Sequence, residues 1–221
     1  MNILIFNGSP RKKGNTMKMI EAYRAGVQSV IPGASIEIVH LYALNYKGCL
    51  SCFGCKRDNS PSYGHCVIND DLKPIFEKTA AADGLVFATP IYFGEMTGQL
   101  KSFLERLLFQ YHSYEKDSRS LAPKKMPTDM IYTMNVTNET KNKLGYDTYL
   151  RNMENRIGHI FTRPKIYNAF NTYQFSDYSL YRAEVFNEPD KAAYRSDRLP
   201  EELSAAFSGG AAMAKEILTK Q

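Results

Sequence analysis

Two stretches of this sequence combine residue types and spacings that can do chemistry. One is Gly8-Ser9-Pro10-Arg11-Lys12-Lys13-Gly14-Asn15-Thr16. Ser9 and Thr16 bring hydroxyls, Asn15 an amide and Arg11 a permanent charge, all donors to an anion. Gly8 and Gly14 let the backbone turn closely around phosphate oxygens. A helix beginning near Asn15 adds free N–H groups and the positive end of its dipole. The run is not a Walker loop, because no Gly-Lys-Ser/Thr closes it, and its glycine spacing does not fit the dinucleotide fingerprint. A polar turn ahead of a helix has the same composition, so the loop must be read with its neighbours. The other stretch holds Cys49, Cys52, Cys55 and Cys66 within 18 residues.

Cys49-x2-Cys52-x2-Cys55 has the spacing of three ligands to one cubane iron–sulfur cluster, and Cys66 is available as a fourth thiolate. Zinc sites more often use two separated cysteine pairs. Metal-free thiols in a substrate loop would have the same sequence. Spacing alone leaves all three readings open.

The elements that must position these residues follow from hydrophobic periodicity. Ile3 to Asn7 is an apolar run ending at Gly8, the pattern of a central parallel strand. A helix from about Asn15 places Ile20, Tyr23, Val27 and Ile31 on one face, and Pro32-Gly33 stops it. Ser35 to Leu41 reads as a second strand. Asp70-Asp71 can cap a helix through Ala82. Asp83 to Thr89 is a third strand closed by Pro90, and Thr97 to Phe109 a strongly amphipathic helix. Met130 to Val136 and Lys165 to Phe170 complete five strands. Leu144 to Ile160 reads as one helix. Pro200 to Leu218 reads as another, with Leu203, Phe207, Ala211, Ala214 and Leu218 inward. The expected fold is α/β: a doubly wound, five-stranded parallel sheet, order 2-1-3-4-5, with helices on both faces.

In such a sheet ligands bind beyond the carboxyl ends of the strands, at the switch point. That rule selects the loops after Asn7, Thr89 and Val136. The second is Pro90-Ile91-Tyr92-Phe93-Gly94-Glu95-Met96-Thr97-Gly98. Its aromatics can flank a flat ring while backbone groups read the polar edge, as a flavin requires; packing of a turn against the core is the alternative. The third, Thr133 to Asn138, offers Asn135 to the same ring or its ribityl chain, or simply caps the strand end.

Length bounds the rest. The 221 residues predict one domain, 1–221, with a cysteine loop at about 47–69 and extensions at about 110–128 and 171–199. The aromatics of these extensions serve a subunit interface or the cofactor, or else cover their own core. Apolar residues are 43% and charged residues 23%, which suits a soluble globular chain. The net charge of +5 suits anionic ligands, but Lys and Arg form no dense tract, which argues against a nucleic-acid partner. The longest apolar stretch, Gly84 to Gly94, contains Pro90 and is too short to span a membrane. No basic leader precedes Ile3, and the clustered thiols suit a reducing compartment, so a cytoplasmic location is expected.

Gly8-Ser9-Pro10-Arg11 with Gly14-Asn15-Thr16 resembles the phosphate loop of the flavodoxin-like NAD(P)H-dependent FMN reductases. Pro90 to Lys101 resembles the ring-binding loop of that family, and Cys49, Cys52, Cys55 and Cys66 before Asp70-Asp71-Leu72 are similar to the cysteine block of its iron–sulfur flavoprotein branch. The ten residues between Cys55 and Cys66 exceed what that branch usually shows. The resemblance covers roughly residues 1–110. It implies bound FMN, NAD(P)H as donor, a four-iron four-sulfur cluster as an option, and a homodimer or homotetramer. The implied site is Ser9, Arg11, Gly14, Asn15, Thr16, Pro90, Ile91, Tyr92, Phe93, Gly94 and Asn135, with Cys49, Cys52, Cys55 and Cys66 as metal ligands. The implied activity passes hydride from NAD(P)H through flavin to a quinone, flavin, metal or protein acceptor. Alternatives are an electron-transfer iron–sulfur flavoprotein and a non-enzymatic flavin-binding sensor. Because the flavin does the chemistry, no side chain need be a nucleophile. His112 and His159 are therefore not expected to be catalytic, and His40 reads as a satisfied strand residue.

Overall fold

A computed structural model describes residues 1–220. Five parallel strands form the sheet: β1 (Asn2–Asn7), β2 (Ser35–His40), β3 (Gly84–Tyr92), β5 (Thr128–Thr133) and β6 (Lys165–Ala169), in the order β2-β1-β3-β5-β6. That is the flavodoxin-like order expected, with one addition. The two-residue strand β4 (Glu95–Met96) pairs antiparallel with the end of β3. Alternation along the strands splits the core in two. Leu4, Phe6, Leu85, Phe87, Met130 and Tyr132 face α2 (Leu72–Ala81), α3 (Gly98–Tyr111) and α5 (Tyr146–Ile160). Ile3, Ile5, Val86, Ala88 and Ile131 face α1 (Asn15–Val30) and α7 (Leu199–Leu218). Among the described residues no helix is long and apolar enough to cross a membrane.

β3 runs past its expected end at Thr89, through Pro90 to Tyr92. Ala88 sends its carbonyl to the Gly8 N–H on the β1 side, at 2.7 Å. In a parallel ladder Pro90, two residues on, faces that same side, where β1 has already stopped at Asn7. The missing proline N–H therefore breaks no ladder bond. Gly8 is fixed by crowding: a Cβ there would lie 2.9 Å from the Cβ of Leu100 and 3.1 Å from the Thr97 hydroxyl.

Three expectations need correction. β5 starts earlier and stops at Thr133, so Met134 to Val136 belong to the loop at the strand end. The stretch from Leu144 to Ile160 is not one helix. Gly145, at φ +69°, ends a short α4 (Asn138–Lys143) and starts α5, leaving Leu144 exposed. In α7 the inward face is Ala206, Gly209, Gly210, Met213, Ala214 and Ile217, while Phe207 and Leu218 are exposed. Small residues set this phase. A Cβ on Gly210 would lie 2.0 Å from the Tyr23 carbonyl, and one on Gly26 would lie 1.8 Å from that of Phe207. The backbones of α1 and α7 touch, and no large side chain fits between them.

The extension after β6 holds a helix with no apolar stripe, α6 (Glu188–Asp197). Asn187 caps it through the Asp190 N–H, and Pro189 occupies its first turn. Before it, Phe175 stacks on Tyr181 at 4.0 Å, and Tyr178 meets Tyr173 and Phe175 edge-on.

Candidate functional site

Three strand-end loops converge on one open pocket. Its lining includes Ser9, Arg11, Asn15 and Thr16 after β1, Pro90, Ile91 and Tyr92 at the end of β3, and Thr133, Met134 and Asn135 after β5. Thr172, Tyr173 and Gln174, from the extension after β6, close it. Among the described residues no side chain caps the N-terminus of α1, so its first N–H groups are left for a ligand. The loop around them is braced from within. The Ser9 N–H bonds Asn7 Oδ1 at 2.9 Å, the Arg11 N–H bonds Ser9 Oγ at 3.2 Å, and the Thr97 hydroxyl donates to the Gly8 carbonyl at 2.8 Å. Thr16 and Thr133 share a hydroxyl contact at 2.8 Å that ties α1 to β5.

The fourth wall comes from the extension whose aromatics the sequence offered to an interface, the cofactor or their own core, but its individual residues were not singled out. Arg11 Nη1 donates to the Gln174 carbonyl at 2.6 Å, and Asn15 Nδ2 to the Tyr173 carbonyl at 2.8 Å. Behind them Lys191 of α6 is 2% exposed. Its Nζ bonds the Asn135 carbonyl and Asn171 Oδ1, both at 2.8 Å, and lies 5.2 Å from the Phe186 ring centroid. Among the described residues no carboxylate pairs with it, and burial holds its pKa below the usual lysine range. A lysine in a stretch without apolar periodicity gives no sign of this from sequence.

Three expected residues lie outside the pocket lining. Phe93 (φ +53°) and Gly94 (φ +81°) are the central pair of a two-residue hairpin between Tyr92 and Glu95. Positive φ at both positions makes the turn that matches strand twist. It carries Phe93 off the pocket lining into full exposure, while Gly94 packs against the Tyr146 ring. Gly14 stands at the start of α1 and not in the lining. His40 meets Asn7 at 3.3 Å. His112 and His159 lie 5.7 Å apart on a groove between α3 and α5, outside the pocket.

The cysteines gather at a second place. Cys49, Cys52, Cys55 and Cys66 are free thiols lining one small cavity with Arg106, Phe109 and Gln110 of α3. Among the described residues no three His, Cys, Asp or Glu side chains stand close enough to hold a single metal ion. Burial pushes the Cys55 thiol up, against the pull of Lys56. Lys56 itself donates to the Phe109 and Gln110 carbonyls at the end of α3. Arg106 forks onto Asp70 at 2.5 and 3.1 Å and reaches Cys66 Sγ at 3.4 Å. Gln110 Oε1 accepts the Cys66 N–H at 2.9 Å, while its Nε2 is buried with no partner among the described residues. Neither Arg106 nor Gln110 stood out in the sequence. A charge and an amide four apart on an otherwise apolar helix face were the available signal.

Residues 1–126 match the model of a single family, NADPH-dependent FMN reductase, over more than half of the chain. The chain belongs to that family. An iron–sulfur flavoprotein of Archaeoglobus fulgidus is 34% identical over 124 residues, 56% of this chain and 57% of that protein. The chain spans about half the length of the curated relatives it matches. Among solved structures, an NAD(P)H:quinone oxidoreductase from Methanothermobacter marburgensis superposes with a TM-score of 0.70 at 18% identity, covering 96% of this chain and 98% of that one. An FMN-dependent NADH-azoreductase from Bacillus anthracis, solved with FMN, superposes at 0.63 and 14% identity over 97% and 100%. At such identities these two establish the fold alone.

Proposed function

We propose that this chain is an FMN-dependent oxidoreductase that passes hydride from NAD(P)H to an electron acceptor of the quinone, flavin, metal or protein kind. The observation that carries this reading is the convergence of three strand-end loops on a pocket whose floor is the uncapped start of α1. Its donor set fits FMN. Backbone N–H groups, Ser9, Arg11, Asn15 and Thr16 suit a phosphate. Pro90, Ile91, Tyr92 and Asn135 offer apolar surface and backbone polar groups to the ring. Bound flavin supplies a hydride acceptor that can release its electrons singly or in pairs. The protein's part is to hold the phosphate, exclude water with Ile91 and Tyr92, and set the ring's polar edge against the β3 and β5 loops. Half-exposed Tyr92 in the lining and exposed Phe93 on the hairpin beside it fit cover by a second copy in a homodimer or homotetramer. The test is fluorescence titration with FMN, followed by NADH and NADPH oxidation with a quinone. Quenching with saturable turnover is expected; a protein that takes up no FMN overturns the reading.

A second reading is favoured by the cysteine cavity. Four free thiols around one space, with the Gln110 amide left without a partner, fit a four-iron four-sulfur cluster, which places each thiolate on a different iron. Cys49, Cys52, Cys55 and Cys66 would hold it, and it would supply one-electron transfer to a protein or small-molecule partner. The curated relatives named iron–sulfur flavoproteins support this version. Iron and sulfide analysis after anaerobic purification tests it, and flavin bands without iron would remove it.

A further inference from the structure

Arg106 is an unusual residue for the wall of a cysteine cavity. Its side chain is 1% exposed, and it enters the core from α3, where Phe103 and Leu107 share its burial. Burying a guanidinium is costly unless opposite charge and hydrogen bonds compensate it. Asp70 supplies one carboxylate, itself 19% exposed, and the Lys47 carbonyl lies 3.4 Å from Nη1. Yet Arg106 Nε stays buried with no partner among the described residues, and Nη2 points at Cys66 Sγ. The fork on Asp70 sets this aim, because two parallel N–H···O bonds fix the plane of the guanidinium. A cation aimed by a carboxylate at a sulfur is an arrangement for acting on the charge at that sulfur.

We propose that Arg106, aimed by Asp70, is a positioning residue that raises the reduction potential of an iron–sulfur cluster held at Cys66. The proposal rests on the cluster reading above. Reduction adds one electron, supplied by reduced flavin in the protein or by dithionite in a titration. No bond forms or breaks, and no proton need move. The added negative charge is favoured beside a fixed guanidinium in a poorly solvated site. Asp70 opposes this in part. The two side chains therefore affect the potential with opposite signs, whereas a merely structural ion pair would make both substitutions act alike.

The experiment is an anaerobic, EPR-monitored redox titration of the iron-loaded full chain and of Arg106→Gln, Arg106→Lys and Asp70→Asn, with iron and sulfide counted in each. Asp70→Asn keeps an acceptor for the Leu72 N–H that Asp70 Oδ1 takes at 3.1 Å, so the start of α2 is preserved. Arg106→Gln is expected to disfavour the reduced cluster about tenfold at fixed poise, or ~59 mV for one electron. Arg106→Lys falls between it and wild type. Asp70→Asn shifts the potential upward, and this variant alone decides the matter where Arg106→Gln fails to load iron. Loaded Asp70→Asn that titrates with wild type or below it overturns the inference while leaving the cluster intact. Wild-type protein that assembles no cluster overturns the cluster reading and this inference with it.

Discussion

The pocket at the strand ends, floored by the start of α1, and the cysteine cavity, walled by α3, are assembled by different means. The pocket is made of loop backbone. Its donors are the N–H groups at the start of α1 and the hydroxyls of Ser9 and Thr16, and its acceptors are carbonyls held in place by Arg11, Asn15 and Lys191. The cysteine cavity is made of side chains, and the charged groups around it come from buried positions on α3 and from the loop itself. The first kind of site follows from topology, because any doubly wound sheet exposes N–H groups at its switch point. The second depends on individual residues that topology does not require. The two should therefore fail separately.

The sharpest break is at Cys55, the most buried of the four thiols. Cys55→Ser is expected to abolish cluster assembly, seen as loss of iron per flavin, while FMN affinity stays within about threefold. A substitution remote from both sites should act on folding alone. Asp129, near the start of β5, accepts the Tyr23 hydroxyl at 2.6 Å, and burial raises its pKa to about 7 despite that bond. A raised carboxyl costs nothing while folded and unfolded chains are both protonated. Its penalty grows as pH rises from the unfolded value of 3.8 to about 7 and is constant above that. Stability of the wild type measured against Asp129→Asn should therefore fall by roughly 4 kcal/mol between pH 4 and pH 8. Denaturant unfolding at several pH values checks this, and a flat difference would contradict it.

Smaller effects sharpen the contrast. Arg11→Ala removes a charged donor from the phosphate end and should weaken FMN by tenfold to about a hundredfold, at about 1.5–3 kcal/mol for such a bond. Iron content should not change. Lys191→Met keeps the length of the side chain but frees the Asn135 and Thr172 carbonyls. A several-fold loss of FMN affinity is expected by the same fluorescence titration, again with iron unaffected. Equal effects of either substitution on flavin and iron would show the two sites to be one cooperative unit.

The same contrast explains what could be read from the sequence. β1, its following loop, β3 and α3 were legible because apolar period and turn residues agree there. The pocket was legible for the same reason, since Ser9, Arg11, Asn15, Thr16, Pro90, Ile91, Tyr92 and Asn135 sit on those elements and line one space. The support behind the fourth wall was hidden because α6 is polar nearly all round and is fixed by a cap and one lysine. The phase of α7 was misread because glycines, which carry no hydrophobic signal, hold its buried face. Phe93 lies outside the lining because its backbone serves a turn, which its aromatic side chain gave no sign of. Arg106 was passed over because a charge on an amphipathic helix is usually solvated.

The contact between α1 and α7 has a consequence for the order in which the protein is made. The helix whose first turn faces the anion is seated on Gly210, almost two hundred residues later in the chain. The wall from Thr172 to Gln174 is late as well. A nascent chain that has already emerged through β5 has the phosphate loop but neither its mount nor its closing wall. On the proposed reading, FMN capture is thus a late event of synthesis, because the loop near the start of the sequence waits on segments far along it.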